Sequence, residues 1–315
     1  MSFSANVKSE LSHHFGNARH CNLAEIAAII NMCGVIMFSD GKFCVKIQTE
    51  NVTVARKCFT LIKKTFNIDS EILVRRNSQL KKNRIYMIFI KGKENATRVL
   101  TATGIMRSEG NTPFIKTGIY PLIVNSICCR RAYIRGAYLA GGSISDPEKA
   151  YHLEFVNSSY EHAEELKELI NSFSLGSKIT KRKGQYIVYI KEGEQIVKLL
   201  SIMEAYVALM NLENIRILKD MRNNVNRMVN CETANLSKTV TASVKQIEDI
   251  NYIKETMGLD KLPEQLKSMA LLRLEFPDAS LKELGSMLSN EVGKSGVNHR
   301  LRKIGEIADA LRERV

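Results

Sequence analysis

The feature that most constrains the fold of this chain is an internal repeat of about 107 residues. Each half of the first two hundred residues carries, in the same order, an apolar helix that ends in glycine, a strand pattern, an amphipathic helix, a basic stretch and another strand. Gly34 and Gly142 are 108 positions apart, and Phe66 and Phe173 are 107 apart. This order and spacing predict a duplicated domain with repeats at about 21–100 and 128–205. The predicted elements are 24–34, 43–48, 52–66 and 85–90 in the first repeat, and 133–142, 151–156, 160–173 and 186–190 in the second.

Basic residues fall at matching places in the two repeats. Arg75 and Arg76 correspond to Arg182 and Lys183 at an offset of 107. The other members of the two clusters are Lys81, Lys82 and Arg84 in the first repeat and Lys178 and Lys181 in the second. Two interpretations stay open. The clusters form related basic patches on one face that contacts DNA, or they are charged hairpin tips that keep edge strands soluble.

The last fifty residues have the pattern of a helix-turn-helix. Ser280, followed three places later by Glu283, predicts a capping box at the start of its first helix. Leu281, Leu284 and Leu288 then form one apolar stripe at helical spacing.

Every charged residue from Lys294 to Lys303, in the second helix of this motif, is positive. Ser295 is expected to cap it, and Val297, Leu301 and Ile304 recur as its buried stripe. Such a helix fits the major groove, where Arg reads guanine and Asn reads adenine. The residues expected to contact DNA are Lys294, Ser295, Asn298, His299, Arg300, Arg302 and Lys303. The alternative is a helical hairpin with a solvated basic face.

Charge and composition favour a polyanionic partner. The 315 residues include 46 basic and 33 acidic side chains, a net charge of +13, and the pI is near 9.4. Double-stranded DNA suits this balance best, although an anionic membrane surface also would. Seven irregularly spaced cysteines favour a reducing compartment. Without a signal region or a sufficiently long apolar run, we expect a cytoplasmic, nucleoid-associated protein that is not inserted in a membrane.

The domain organisation follows from these patterns. The fold class is expected to be α+β, with a duplicated α/β domain over 1–212 and an all-α domain over 241–315 whose helix-turn-helix occupies about 279–312. Residues 213–240 are basic and rich in asparagine, which disfavours helix, so we expect a linker there.

Other constellations give weaker indications. His13, His14, His20 and Cys21 lie close together, but their spacing matches no zinc pattern. A structural role is favoured for Cys128 and Cys129. Gly141 and Gly142, which precede Ser143, lack the Gly-Lys-Ser/Thr ending of a phosphate-binding loop. We therefore expect no metal, no cofactor, no small-molecule substrate and no enzymatic activity.

The two glycine-terminated helices resemble the paired helices of the LAGLIDADG homing endonucleases. In that family the helices pack at a pseudo-twofold axis, and the acid before each final glycine binds the catalytic metal. The corresponding positions here are Cys33 and Gly141. Neither side chain offers the carboxylate that a hard divalent cation requires, so the resemblance implies the fold without the nuclease chemistry.

Duplicated LAGLIDADG-like repeats followed by a helix-turn-helix resemble the WhiA family of bacterial regulators. The stretches that carry this resemblance are 2–4, 128–131, 135–143, 220–223, 225–227, 230–235 and 294–303. Gly293 departs from the serine expected there, which is expected to shift the helix cap without removing the motif. The resemblance implies a DNA-binding regulator of cell division, chromosome segregation or sporulation, whose duplicated domain adds a basic surface or binds another regulatory protein. The rival functions are an interaction scaffold with non-specific DNA affinity and an active nuclease.

Overall fold

The computed structural model describes residues 2–39, 42–76, 84–110 and 112–313. The chain divides into two compact units, Met1–Lys219 and Asp220–Val315. Over the described residues, no helix has the length and apolar character needed to cross a membrane.

The first repeat follows the predicted order. A leading helix, α1 (Phe3–His13), precedes it. Its elements are α2 (Arg19–Cys33), β1 (Gly34–Ser39), β2 (Lys42–Thr49), α3 (Val52–Phe66), β3 (Glu71–Arg76), β4 (Arg84–Lys91) and α4 (Lys93–Ala102). Helix α3 has the predicted ends because Asn51 accepts hydrogen bonds from the backbone N–H groups of Thr53 and Val54, and Asn67 closes the helix in the left-handed conformation.

The second repeat has the same elements in the same order. A hairpin, β5 (Met106–Glu109) and β6 (Thr112–Ile115), and a 3-10 turn (Pro121–Val124) come before it. Its elements are α5 (Ile127–Gly141), β7 (Gly142–Ile144), β8 (Leu153–Asn157), α6 (Tyr160–Asn171), β9 (Lys178–Arg182), β10 (Gln185–Ile190) and α7 (Gly193–Met203).

The two sheets have equivalent topologies, which confirms the predicted duplication. The strand orders are β1-β2-β4-β3 and β7-β8-β10-β9, and neighbouring strands are antiparallel throughout. One face of each sheet carries buried aliphatic and aromatic residues, such as Val45 and Ile88 in the first and Phe155 and Val188 in the second. These residues belong to one core shared with α2 and α5.

Helices α2 and α5 pack closely at the centre of this unit. A Cβ atom added at Gly136 would lie 2.4 Å from the backbone oxygen of Glu25, so the two backbones can approach only because no side chain is present there. At the end of α5, a Cβ atom on Gly141 would lie 2.9 Å from the backbone oxygen of Val156. Gly136 therefore sets the distance between the two repeats, and Gly141 lets α5 approach β8 within the second repeat.

Buried charges also cross this helix pair. Glu25 on α2 is fully buried and forms ion pairs with Lys57 on α3 and, at 3.3 Å, with Arg135 on α5. Arg135 also contacts Glu204 at 2.7 Å, and Lys57 donates to the backbone oxygen of Leu11 at 2.7 Å. Burial lowers the pKa of Lys57. Because a buried charge without partners is costly, these contacts select one packing arrangement of four helices and the segment around Glu204.

The second unit is helical. Helix α8 (Tyr206–Thr256) enters it from the first, and the other helices are α9 (Glu264–Glu275), α10 (Leu281–Ser286) and α11 (Lys294–Arg312), with a 3-10 turn at Leu259–Lys261. Ile250, Met269, Leu284, Leu301 and Ile304 are central to its core. This confirms an all-α fold after the duplicated domain.

The expectation that asparagines interrupt a helix within 213–240 is wrong, because the whole stretch lies in α8. Its asparagine side chains are all exposed, and each costs the helix only about 0.7 kcal/mol or less relative to alanine. The residues between them, chiefly arginine, methionine, leucine and lysine, favour helix and offset that cost. The division between the two compact units, at Lys219 and Asp220, falls inside this helix.

A chain of hydrogen bonds in the first unit ends at a buried histidine. Asn31 donates to the hydroxyl of Tyr133 at 3.0 Å, and Tyr133 donates to Nε2 of His162 at 2.9 Å. Nδ1 of His162 donates to Oδ1 of Asn157 at 2.9 Å. The neutral ring therefore has both nitrogens satisfied, and burial lowers the pKa of His162 from 6.5 to about 4.

We predict that His162 makes the first unit sensitive to acid. The unfolded chain takes up a proton at pH 6.5 while the folded chain resists it until about pH 4, so stability is fully present above pH 6.5 and falls between these values. The expected loss is roughly 3 kcal/mol in the free energy of unfolding. Urea titrations at pH 4 to 7, followed by tyrosine fluorescence, measure it, because only Tyr252 lies outside this unit.

The variant His162→Gln should lose less stability over this pH range than the parent. His13→Gln, which removes an exposed histidine, is the matched control and should keep the parent's pH dependence. Equal acid sensitivity of the parent and His162→Gln would contradict the prediction.

Candidate nucleic-acid interface

Helix α10 begins at the predicted capping box. Oε2 of Glu283 accepts a hydrogen bond from the backbone N–H of Ser280 at 2.7 Å, and Oγ of Ser280 accepts from the backbone N–H of Glu283 at 3.3 Å. Hydrogen bonds from the backbone and side chain of Ser280 lower the pKa of the Glu283 carboxyl. The helix ends at Ser286, so Leu288 lies beyond it rather than on its stripe.

A tight turn joins α10 to α11. The backbone N–H of Val292 donates to the backbone oxygen of Gly285 at 3.1 Å, and a Cβ atom on Gly285 would lie 2.0 Å from the backbone oxygen of Val292. Any larger residue at Gly285 would push the two segments apart. This close approach sets the angle at which α11 leaves the turn.

The start of α11 differs from the prediction. Ser295 was expected to cap the helix, but α11 begins at Lys294 with Gly293 as its cap residue, and Ser295 lies inside the first turn. A cap residue needs an extended backbone, which Gly293 adopts at φ −64° and ψ 159°. Gly293 has no side chain to accept a hydrogen bond, so the departure from serine leaves this helix start without a side-chain cap.

The faces of α11 match the predicted division. Val297, Leu301 and Ile304 are buried against Leu284 and the rest of the second core. The predicted contact residues that are exposed are Lys294, Ser295, Asn298, His299, Arg302 and Lys303, whereas Arg300 is half-buried. Arg300 is therefore only partly available for a ligand.

Asn298 and Arg302 lie one turn apart on the exposed face. Nε of Arg302 is 3.3 Å from Oε1 of Glu306, one turn further on. Both side chains of this pair are well exposed, and such surface pairs are worth at most about 1 kcal/mol. The guanidinium can therefore leave Glu306 for a stronger acceptor, such as the edge of a guanine.

A groove of about 430 Å³ runs beside the start of α11. Its lining includes Lys238 from α8, Lys282 from α10 and both Lys294 and Asn298 from α11. Ammonium groups around a solvent-open groove suit phosphate oxygens. Neither Lys238 nor Lys282 was among the residues predicted from the sequence. Lys282 could have been found, because it lies in the first turn of α10 and the first helix of this motif crosses the DNA backbone.

Arg273 at this groove has a structural role. Its Nη1 donates to the backbone oxygens of Pro277 at 3.2 Å and Ala279 at 2.8 Å, which holds the connection between α9 and α10. Oγ of Ser243 donates to the same oxygen of Pro277 at 2.6 Å. These bonds fix the start of α10 against α8.

The described residues of the two basic clusters are exposed but do not all share a face. Arg75 pairs with Ile85 and Arg182 with Gln185, and both point to the side of their sheet opposite the buried core. Lys178 lies on that outer face too. The side chains on the other side of the sheets, toward the buried core, are those of Arg76, Arg84 and Lys181. Lys183 lies in the turn between β9 and β10. Lys81 and Lys82 fall outside the described residues.

The two outer faces also differ in character. On its outer face the first sheet exposes Leu73, on the same strand as Arg75, and Val35 and Met37 at the opposite edge; these side chains are 53%, 46% and 38% accessible. On the second sheet Arg182 contacts the carboxylate of Glu154, at 3.1 and 3.3 Å. Of the described residues in the two clusters, Arg75, Lys178 and Arg182 are therefore the ones on the outer strand faces, and the choice between a phosphate-binding surface and a solubility role stays open.

The ends of α2 and α5 lack the carboxylates of a nuclease site. Cys33 is the last residue of α2, its Sγ contacts the backbone oxygen of Ile29 at 3.2 Å, and burial raises its pKa to about 12. Gly141 is the last residue of α5. A protonated thiol and a glycine do not fit a hard divalent cation such as Mg²⁺.

Cysteines and a histidine of the two repeats do come together elsewhere. His20, Cys21, Cys128 and Cys129 have potential ligand atoms that all lie within 4.8 Å of one another. Among the described residues this is the one cluster of three or more histidine, cysteine or acidic side chains with such spacing. His13 and His14 do not belong to it, since His13 contacts the backbone oxygen of Ser9.

Comparison with known proteins agrees with this architecture. Three family models match the chain: the WhiA N-terminal LAGLIDADG-like domain over 19–106, the WhiA LAGLIDADG-like domain over 130–222 and the WhiA C-terminal HTH domain over 225–308. A probable cell division protein WhiA from Alkaliphilus oremlandii is 55% identical, covering 99% of this chain and 98% of that protein. One from Lachnoclostridium phytofermentans is 51% identical over 99% of this chain and 100% of that protein.

A solved structure shares the same architecture. The crystal structure of full-length DUF199/WhiA from Thermatoga maritima has a TM-score of 0.62 and 26% identity, covering 98% of this chain and 99% of that one. The chain is thus a protein of two LAGLIDADG-like repeats and a helix-turn-helix domain. It belongs to the WhiA family.

Proposed function

We propose that the protein is a sequence-specific DNA-binding transcriptional regulator, with α11 as the helix that reads the DNA. The observation that carries this proposal is the exposure of Asn298 and Arg302 one turn apart on a helix whose opposite face is buried. A helix in the major groove needs polar side chains at this spacing to reach successive base edges.

The groove beside α11 supplies the second half of the interface. Lys238, Lys282 and Lys294 line it and would contact the phosphates that flank the base pairs read by Asn298 and Arg302. Phosphate contacts provide affinity that is independent of sequence, and base contacts provide the discrimination. The net charge of +13 supports association with DNA as a whole.

The biological setting of this regulation is inferred from relatives. Curated relatives at 51–55% identity are named probable cell division proteins. We infer that this chain acts in cell division, and in the linked processes of chromosome segregation and sporulation, on the nucleoid in the cytoplasm. No nuclease step belongs to this function, because Cys33 and Gly141 stand at the metal-binding positions of the fold.

A scaffold that binds another regulatory protein through the duplicated domain is the second candidate. The apolar side chains of Val35, Met37 and Leu73 on the outer face of the first sheet favour it, since phosphate-binding surfaces are polar and basic. In that case the charge of the duplicated domain would add little to DNA binding. The dependence of DNA affinity on salt concentration would then distinguish the two candidates.

We predict that Arg302→Ala loses specific binding. If Arg302 pairs with guanine, the change should cost about 1 to 3 kcal/mol at a natural site and much less on scrambled DNA. Lys294→Ala removes the same charge from the phosphate groove and should weaken binding to both DNAs alike. Band-shift titrations at one salt concentration, on a site recovered by genome-wide mapping, measure both effects. Parental binding of Arg302→Ala to both DNAs would show that α11 is not the reader.

We predict that the basic residues of the repeats bind phosphates. Neutralising Arg75, Arg76, Arg182 and Lys183 together should flatten the slope of log affinity against log salt by roughly 0.9 for each phosphate that the variant no longer neutralises. Neutralising four other exposed cations of the same unit, Lys63, Arg98, Lys149 and Lys198, is the matched control for net charge. Equal slopes for the two quadruple variants would favour the scaffold.

We predict that the protein does not cleave DNA. Incubation with supercoiled plasmid and Mg²⁺ or Mn²⁺ should leave the plasmid intact, because neither helix end carries a carboxylate for the cation. Nicking that copurifies with the protein and disappears when a nearby carboxylate is changed would contradict this assignment.

A further inference from the structure

The cluster of His20, Cys21, Cys128 and Cys129 is built by the duplication itself. His20 and Cys21 are the second and third residues of α2, and Cys128 and Cys129 are the second and third residues of α5. The two pairs are 108 positions apart, the same offset as Gly34 and Gly142. Equivalent positions of the two repeats therefore meet where the first turns of α2 and α5 lie together.

The distances within the cluster suit a tetrahedral metal ion. Nδ1 of His20 is 3.1 Å from Sγ of Cys129 and 3.4 Å from Sγ of Cys21, and all four ligand atoms lie within 4.8 Å of one another. A zinc ion binds sulfur at about 2.3 Å and imidazole nitrogen at about 2.0 Å, so tetrahedral ligand atoms are roughly 3.5 to 3.8 Å apart. The side chains need only small rotamer adjustments to reach this arrangement.

Burial raises the pKa of Cys21 to about 12 and also raises the pKa of Cys129, so a metal ion must displace the protons of these thiols to bind. The two helix ends and the nearby arginines would then stabilise the thiolates. The first turn of a helix has unpaired backbone N–H groups and the positive end of the helix dipole, and both α2 and α5 direct this end to the cluster. Three thiolates and a divalent cation leave one negative charge. Arg19 and Arg130 are adjacent in sequence to ligands, and Arg131 is two residues from Cys129. Cys129 is buried while His20 and Cys128 are exposed, so an ion can enter from solvent.

We propose that His20, Cys21, Cys128 and Cys129 form a structural site for Zn²⁺ that joins the two LAGLIDADG-like repeats. Three sulfur ligands and one nitrogen ligand are a set that zinc prefers in structural sites, and four protein ligands leave no open position for a substrate or a water molecule. The site differs in place and chemistry from the nuclease position at Cys33 and Gly141, which lies at the opposite ends of the same helices.

The site would hold the helix pair at one end while close glycine packing holds its middle. Metal binding fixes the first turns of α2 and α5, and the contact of Gly136 with the backbone of Glu25 fixes the helices further along. Because the ligands come from both repeats, the site stabilises their association and not the fold of either repeat alone. The redox alternative is a disulfide between Cys21 and Cys128 or Cys129, and all these cysteines are free in the structure.

Metal content of the full-length protein tests the proposal. Protein purified under reducing conditions and stripped with a chelator should bind one equivalent of Zn²⁺, and should bind one Co²⁺ with the intense visible absorption of a tetrahedral thiolate site. Binding should raise the thermal unfolding midpoint. The double variant Cys21→Ser with Cys128→Ser should lose all three signals.

Three further variants keep the test independent of folding. Cys44→Ser with Cys231→Ser removes two thiols outside the cluster and should bind metal like the parent. His20→Cys should retain tetrahedral cobalt with a shifted spectrum, since four thiolates also suit the ion, whereas His20→Ala should bind it more weakly. Circular dichroism of each stripped variant verifies that it is folded.

Three outcomes would overturn the proposal. The first is a folded parent that takes up no stoichiometric Zn²⁺ or Co²⁺. The second is equal metal binding by the parent and by the double variant at Cys21 and Cys128. The third is a disulfide between these cysteines that is already present in cells whose thiols are blocked before lysis, because a pair oxidised in the cell would assign a redox role to the cluster.

Discussion

The close approach of α2 and α5 is the constraint on which the first unit depends. Gly136 allows the backbone of α5 to reach that of α2, and this approach brings Glu25 within range of Arg135. The resulting buried charges have partners on several helices, so the hydrophobic core cannot slide along the helix pair without leaving a charge unpaired. Aliphatic packing supplies most of the stability, and the glycine contact together with the ion pairs defines which packing is reached.

Much of this architecture was predictable from the sequence because each helix and strand pattern of the first repeat occurs again in the second. A helix or strand pattern that occurs once is ambiguous, but one that recurs after 107 or 108 residues in the same order is hard to produce by chance. The helix Val52–Phe66 was predicted from its amphipathic pattern with its observed ends, and in the structure Asn51 and Asn67 cap it on both sides. The capping box predicted from Ser280 and Glu283, three residues apart, was confirmed.

The errors arose where local signals compete with context. The asparagines of α8 indicated a linker, yet exposed asparagines weaken a helix only slightly and the residues between them favour it. Ser295 resembled a cap, but Gly293 reaches the extended conformation two residues earlier. The cluster at Cys21 and Cys128 could not be inferred from zinc spacings, because its halves are more than a hundred residues apart and only the packing of two helices unites them.

The ends of helix α8 differ from its middle in the burial of their side chains. Both of its ends contribute to a core, through Leu212 and Ile253, whereas every side chain from Asp220 to Ala242 is exposed. Opening a turn at either end uncovers apolar surface, but opening one in the middle breaks backbone hydrogen bonds that water can replace. Local unfolding is therefore easiest in the middle of the helix, and amide protons there exchange with solvent sooner than those of the two cores that the helix enters.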